Sequence, residues 1–198
     1  MKTPTKVKIL NTARDLFNKE GYNRVSMRDI AAALDMSVGN LTYHFKKKED
    51  LVEAIVLRSH MAYVIPQPAS SIEELDELFK KKRVHHKDNA YYYRHYKQLS
   101  RISIIIKDVQ QEATYDFYHA LKKTFENLQA NGLMQKESIP NQYDSLIQII
   151  MASNVYGAPE VTGFEKRPLV ETYWNVIHFF LTDKGKDDYH KMRTQNIS

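Results

Sequence analysis

The residues best suited to recognise another molecule lie between Val38 and Phe45. Asn40 carries an amide that can form a paired hydrogen bond to adenine, and Val38 can contact the methyl group of thymine. Gly39 costs about 1 kcal/mol of helix propensity relative to alanine, but it removes a side chain where a partner must come close. These residue types in this order predict a helix that reads base edges in the major groove of double-stranded DNA.

A second set of polar side chains suits contacts to the phosphate backbone, which position a protein on DNA without specifying a sequence. With the three base-reading residues included, the predicted DNA-binding set is Ser26, Arg28, Ser37, Val38, Gly39, Asn40, Thr42, Tyr43, His44, Lys47 and Lys48. Two alternatives stay open here. Tyr43 and His44 could serve as packing and capping groups, and Arg28 could be a solvated side chain.

Two capped helices joined by a short turn would hold these residues in place. Ser26 and Asp29 have the spacing of a capping box at the start of the first helix, and Ser37 is placed to cap the second. The turn between them lies at Asp35–Met36, and an earlier amphipathic helix is expected to end at Gly21 as a left-handed cap. The residues expected to face inward in this helix-turn-helix are Ala31, Leu34, Met36, Leu41 and Phe45.

A resemblance to the N-terminal domain of the TetR family is carried by the segment ILNTARDLFNKEGYNRVSMRDIAAALDMSVGNLTYHFKKKEDLVEAI. The residues that match the family pattern are Ala13, Leu16, Phe17, Gly21, Tyr22, Ser26, Ile30, Ala31, Ser37, Gly39, Leu41, His44, Phe45, Lys48, Glu49 and Leu51. The chain departs from that pattern at Asp35, which replaces the turn glycine, at Thr42, which replaces a tyrosine, and at Lys47, which replaces a serine or asparagine cap. The resemblance implies a DNA-binding head, a twofold homodimer on a palindromic operator, and a helical body with an effector pocket.

The composition is that of an ordinary globular protein with a basic head. The 198 residues carry a formal net charge of +5, of which residues 1–50 hold +4, from ten Lys and Arg against six Asp and Glu. Such an uneven distribution indicates a polyanionic partner for the head. No cysteine is present, which excludes disulfides and thiolate metal sites. No secretory signal or stretch of about 18 apolar residues is recognisable, so a cytoplasmic protein without a membrane partner is expected.

Nothing in the sequence has the pattern of a catalytic, cofactor or metal site. No phosphate-binding loop, dinucleotide-binding glycine motif or nucleophile elbow occurs. His85, His86 and His95 lack acidic partners at a ligand spacing, so neither a metal nor a cofactor is expected. The basic run from Lys80 to Lys87 is expected to be a solvated helix end, although it could recruit an anion.

The remaining chain reads as helices alone, so we predict an all-α protein of about nine helices. The segment 66–71, with two prolines, breaks the chain most clearly. Further helices are expected from residue 71, around 88–100 and 109–130, and over 141–156 and 167–182. The predicted domains are residues 1–50, a helix-turn-helix head, and residues 51–198, an effector-binding and dimerisation body, connected by a helix over 47–63.

The last two predicted helices are apolar nearly all round, which requires burial on every side. In a body this small, one side is expected to meet a second copy in a four-helix interface. The predicted dimer residues are Ile147, Met151, Tyr173, Trp174, Ile177 and Phe180. The alternative is that these helices form one thick core within a monomer.

The resemblance implies an effector pocket inside the body, and the aromatic residues between 88 and 128 suit a pocket with apolar walls and polar tips. The predicted ligand contacts are Tyr92, Tyr96, Phe117, Met151 and Val155. The alternative for each of them is ordinary aromatic or apolar core.

Two functions follow from these observations. The first is a DNA-binding transcriptional regulator, which the resemblance implies is a repressor that leaves its operator when an unknown small-molecule effector binds. The second is an adaptor with the same fold that binds DNA and a protein partner without an effector; a large exposed apolar patch on the body would favour it.

Overall fold

The computed structural model describes residues 4–64, 67–156 and 169–195. Within these ranges the protein is all-α, as predicted, with eleven α-helices, two short 3-10 turns and no β-strand. The helices are α1 Thr5–Glu20, α2 Met27–Ala33, α3 Val38–His44, α4 Lys48–Ala62, α5 Ile72–Asp88, α6 Ala90–Arg94, α7 Tyr96–Ile102, α8 Ile104–Ala130, α9 Gln142–Tyr156, α10 Leu169–Ile177 and α11 Asp183–Gln195.

The chain divides into two compact units. The first contains Met1–Val64 and Lys87–Ala113, and the second contains Ile65–His86 and Thr114–Ser198. Helix α4 and residues 87–113 therefore pack in the same unit as the helix-turn-helix. The functional division after residue 50 stays a prediction.

The first unit is built around α1, whose apolar face is fully buried. Ile9, Ala13 and Phe17 pack there with Leu41 of α3 and Leu51 of α4 in one cluster. Periodic apolar residues at helical spacing produce this face, and the burial of a side chain as large as that of Ile9 or Phe17 contributes roughly 1.5–3 kcal/mol. The result is a rigid base for α2 and α3.

The turns of the first unit contain two residues with a positive φ. Gly21 ends α1 at a φ of +88°, and Asp35 stands in the turn after α2 at a φ of +51°. The positive φ expected at Gly21 is confirmed, and Asp35 also takes a positive φ where it replaces the turn glycine of the family pattern. The ψ of Gly21 is 145°, so this residue leads the chain away in an extended direction instead of forming a left-handed helical cap.

The second unit has its own core, formed by one face each of α5, α8, α9 and α10. Phe79, Leu121, Ile147 and Trp174 are among its fully buried members. Helix α8 ends where Gly132 takes a φ of +68° and the Leu133 amide bonds the carbonyl of Leu128 at 2.8 Å. This termination at Asn131–Gly132 was predicted, and its bonds are those of a Schellman motif.

Three features differ from the predicted elements. The helix expected around 88–100 is divided into α6 and α7 at His95, whose φ of −109° and ψ of 20° interrupt the helical turn. Helix α8 begins at Ile104, five residues earlier than predicted. Helix α11 was missed because it is strongly polar, with Gly185 and Met192 as its buried residues.

Among the described helices, none combines the length and the apolar character that a span of the lipid bilayer requires.

Candidate nucleic-acid interface

Helix α2 is fixed at its start by a complete capping box. The Ser26 hydroxyl accepts the amide of Asp29 at 3.3 Å, and the Asp29 carboxylate accepts the amide and hydroxyl of Ser26 at 2.7 and 2.6 Å. These hydrogen bonds lower the pKa of Asp29. The predicted box is confirmed, and Ser26 and Arg28 are both exposed at this end of the helix.

Helix α3 presents the predicted base-reading residues to solvent. Ser37 caps it by accepting the amide of Asn40 at 3.1 Å, while Leu41 is fully buried beneath it. With that side anchored, Val38, Gly39 and Asn40 are exposed near the N-terminus of the helix. A recognition helix uses this end to reach base edges, so the geometry suits readout in a major groove.

The side chains in the C-terminal half of α3 differ in their exposure to solvent. Tyr43 is 85% exposed, and its ring meets the ring of His44 edge to face at a centroid distance of 5.3 Å. His44 and Thr42 are half-buried, and the Thr42 hydroxyl donates to the carbonyl of Gly39 at 3.0 Å. Phe45 packs at the edge of the buried cluster, as predicted. Tyr43 is thus the side chain of this segment that projects furthest into solvent.

The two predicted phosphate-binding lysines at the start of α4 lie in different surroundings. Lys47 is exposed. The ammonium of Lys48 donates to the backbone carbonyls of Tyr22 and Val25, each at 3.0 Å, and lies 4.3 Å from the centroid of the Tyr22 ring. Burial lowers the pKa of Lys48. Lys48 therefore ties α4 to the segment that enters α2.

One exposed cation beside this surface was missed. Lys46 lies between α3 and α4 and is exposed, like Lys47. Its place in the run Lys46–Lys48 was the available signal, but a run of three lysines does not show which of them points outward. That choice depends on the packing of the α4 start against Tyr22.

The comparisons with known proteins agree with this geometry. The family model described as "Bacterial regulatory proteins, tetR family" matches residues 9–55. The HTH-type transcriptional regulator QacR of Staphylococcus aureus is 31% identical over 148 residues, which cover 73% of this chain and 68% of that protein. The chain belongs to the TetR family. The resemblance inferred from the sequence is confirmed.

Other proteins match over different lengths. The HTH-type transcriptional regulator UidR of Escherichia coli K12 is 42% identical over 55 residues, so the match spans 28% of each chain. A crystal structure of a TetR-family transcriptional regulator from Marinobacter aquaeolei VT8 superimposes with a TM-score of 0.82 at 18% identity. That match covers 97% of this chain and 98% of the other, and at this identity it shows the shared fold alone.

The structure places most of the predicted dimer residues of this TetR-family chain inside its own core. Ile147, Tyr173, Trp174 and Ile177 are each at most 2% exposed, and Met151 and Phe180 are half-buried. The chain itself thus covers four of the six side chains that we assigned to a partner. The exposed side of these elements carries other apolar groups, among them Ile149 and Phe179.

The predicted effector contacts are distributed over both units. Tyr92 and Tyr96 lie in the first unit, where they are half-buried and their rings meet at 5.5 Å. Phe117 is buried and Met151 is half-buried in the second unit. The side chain of Val155 lies outside the described residues. A ligand role for these five residues stays a prediction.

Proposed function

We propose that this chain is a sequence-specific DNA-binding transcriptional regulator, a repressor that binds a palindromic operator as a homodimer and leaves it when a small-molecule effector binds. The observation that carries the proposal is the outer side of α3. Asn40 is exposed at the N-terminal end of a helix whose opposite side is locked into the core by Leu41. Membership of the TetR family supports the same function.

In this proposal, Asn40 and Val38 recognise the bases. The amide of Asn40 offers a donor and an acceptor that match the major-groove edge of adenine, and Val38 suits a thymine methyl group. Because the Ser37 cap and Leu41 fix the helix, these side chains are presented with little further ordering.

Phosphate contacts fall to the exposed polar groups around α3. Arg28, Tyr43, Lys46 and Lys47 are all exposed on the elements that flank the reading residues. Each cation that neutralises a phosphate releases counterions, so these residues supply affinity and salt dependence without base preference.

In this proposal, Lys48 is a positioning residue. Its ammonium bonds the carbonyls of Tyr22 and Val25, immediately before the Ser26 cap. A lysine ammonium has three N–H donors, and two are thereby used within the protein. Lys48 thus orients α2 relative to α4 and acts on DNA binding through the shape of the head.

A second copy supplies the second recognition helix that a palindromic operator requires. Ile149 is 59% exposed on α9 and Phe179 is 78% exposed in the 3-10 turn after α10. Both side chains belong to the segments that the sequence assigned to the dimer, and both are open to contact with another protein surface. We assign that surface to a second copy of the chain. A purified protein that sediments as a monomer would instead favour the adaptor function, in which a different protein covers Ile149 and Phe179.

Selection of bound fragments from a randomised DNA pool tests the proposed function. We expect one palindromic sequence to be enriched, and Asn40→Ala to relax its preference at one symmetric pair of positions, at a cost of about 1–3 kcal/mol per base pair. The control is Lys47→Met, which should weaken binding to all sequences alike. Enrichment of no sequence would contradict the regulator, and an unchanged preference in Asn40→Ala would contradict the reading role of this residue.

A further inference from the structure

Two histidines lie side by side at the C-terminal end of the second unit. His178 opens the 3-10 turn that follows α10, and His190 belongs to α11. The centroids of their rings are 6.0 Å apart, with an angle of 70° between the ring planes. His178 is half-buried and His190 is exposed. The sequence led us to expect no metal site, because these two residues belong to different elements and only the packing of α11 brings them together.

The floor beneath this histidine pair is made of aromatic rings. The ring of Tyr189 meets the rings of His178 and His190 at centroid distances of 5.4 and 5.7 Å. On its other contact, Tyr189 packs against Trp174 at 4.8 Å. Trp174 is buried, and its indole N–H is bonded to the carboxylate of Asp76. The pair therefore rests on a well-packed base, which limits the ordering that a bound ligand would require.

The nitrogens of both imidazoles are available to a ligand. Within the described ranges, the side chains of His178 and His190 make ring contacts but neither a hydrogen bond nor an ion pair. The Thr194 hydroxyl reaches His190 only at its backbone carbonyl, at 3.1 Å. A neutral imidazole offers one nitrogen lone pair and is the commonest metal ligand in proteins. Two such groups next to each other have the chemistry of a metal site.

We propose that His178 and His190 together bind a divalent transition-metal ion of the class that prefers imidazole, namely Zn²⁺, Ni²⁺ or Cu²⁺. A metal ion lies about 2.0–2.1 Å from each ligating imidazole nitrogen, so two rings that share one ion have centroids about 5–6 Å apart. The observed separation of 6.0 Å fits this requirement. The inference does not rest on the proposed function.

The ligand set decides which ions the site accepts. Among the described residues, no group of three His, Cys, Asp or Glu side chains could hold a metal, so two imidazoles are the ligands from this chain and water fills the other positions. Mg²⁺ and Ca²⁺ require oxygen ligands, and the pair offers no carboxylate for them. A bound transition metal would join α11 to the turn after α10 and should therefore stabilise the second unit.

Titration of the metal-free full-length protein with Ni²⁺ tests the site, and Mg²⁺ at the same concentrations is the control ion. Trp174 is the single tryptophan of the chain and contacts Tyr189, which contacts both imidazoles. We expect paramagnetic Ni²⁺ to quench the Trp174 fluorescence in a saturable way and to raise Tm, because the ion binds the folded state. Mg²⁺ should do neither.

Variants of single histidines assign the binding to this pair. Loss of a residue that only supports a metal ligand weakens binding about 10–100-fold, so His178→Ala and His190→Ala should each weaken Ni²⁺ binding at least about tenfold. His119→Ala is the matched control, because His119 is another exposed histidine of the second unit, with its ring 4.0 Å from that of Tyr115. This variant should bind Ni²⁺ as the unaltered protein does.

The exposed position of His190 keeps the test decisive if His178→Ala does not fold. Unchanged Ni²⁺ affinity in His190→Ala would overturn the proposal, and so would an equal response to Mg²⁺. An equal loss of affinity in His119→Ala would show adventitious binding to surface histidines only, and this result too would overturn it.

Discussion

The indole N–H of Trp174 donates a 2.8 Å hydrogen bond to the carboxylate of Asp76, 98 residues away in the sequence. Asp76 is 3% exposed and also forms a 2.9 Å ion pair with Lys80. Asp76→Ala leaves the buried indole without its acceptor, so we expect the free energy of unfolding to fall by about 2–4 kcal/mol. Urea unfolding followed by Trp174 fluorescence measures this loss.

The control for this prediction is the neighbouring carboxylate of Glu77. It also pairs with Lys80, at 2.9 Å, but it is exposed. Exposed pairs contribute little, so Glu77→Ala should change stability by at most about 0.5 kcal/mol. Similar losses in both variants would show that the buried bond to Trp174 is not what stabilises this unit.

The two lysines at the start of α4 should respond differently to substitution. Lys47 is exposed, so Lys47→Met should remove about one phosphate contact per head and flatten the dependence of log affinity on log salt by about 0.9 per contact. Lys48→Met breaks two bonds to backbone carbonyls, so it should lower head stability by about 1–2 kcal/mol and leave the salt slope unchanged. Operator titrations at several salt concentrations and thermal unfolding distinguish the two. If Lys48→Met has a reduced salt slope, Lys48 contacts a phosphate, as the sequence first predicted.

Tyr22 makes the stability of the first unit sensitive to alkali. Its hydroxyl is buried and has no hydrogen-bond partner among the described residues. Burial, with a smaller contribution from the charge of Glu49, raises the pKa of Tyr22 from 10 to about 12. The unfolded chain ionises first, so this contribution to stability is complete below about pH 10 and is lost as the pH rises through about 12.

Tyr22→Phe tests this dependence because it keeps the ring under Lys48 and removes the ionising group. At neutral pH we expect unchanged or slightly increased stability, since an unpaired buried hydroxyl costs free energy. Between about pH 10 and pH 12 the variant should lose less stability than the unaltered protein in urea unfolding. Tyr43→Phe, at an exposed ring, is the control and should follow the unaltered profile. A strongly destabilised Tyr22→Phe would show that the hydroxyl is bonded in solution.

Neighbouring apolar residues on the second unit should separate dimerisation from folding. Phe179 is 78% exposed, so Phe179→Glu should be tolerated by the fold but place a charge at the proposed dimer surface. We expect a monomer by sedimentation, with helical content by circular dichroism retained and operator binding lost. Ile177 is fully buried in its own chain, so Ile177→Glu should unfold the second unit instead. A folded, monomeric Ile177→Glu would place the dimer contact where the sequence first suggested it.

Much of the head follows from the sequence because its signals are local. The capping box at Ser26 and Asp29, the cap at Ser37 and the turn at Asp35 each depend on residues within one turn of the chain. Such short-range bonds act before any tertiary contact exists, so residue type and spacing are sufficient to predict them. The exposed position of Asn40 follows in the same way from the inward spacing of Leu41 and Phe45.

The tertiary structure decided which of two similar neighbours faces inward. Lys47 and Lys48 are adjacent residues of the same type, but only the second reaches the carbonyls of Tyr22 and Val25, which lie more than twenty residues earlier. Likewise, the periodicity of the last apolar helices required burial without showing whether this chain or a partner provides it. The structure buries Ile177 within its own chain and leaves Phe179 exposed, and the cover of Phe179 by a second copy is our proposal. Hydrophobicity is a property of a residue, whereas burial depends on distant elements that the local pattern does not encode.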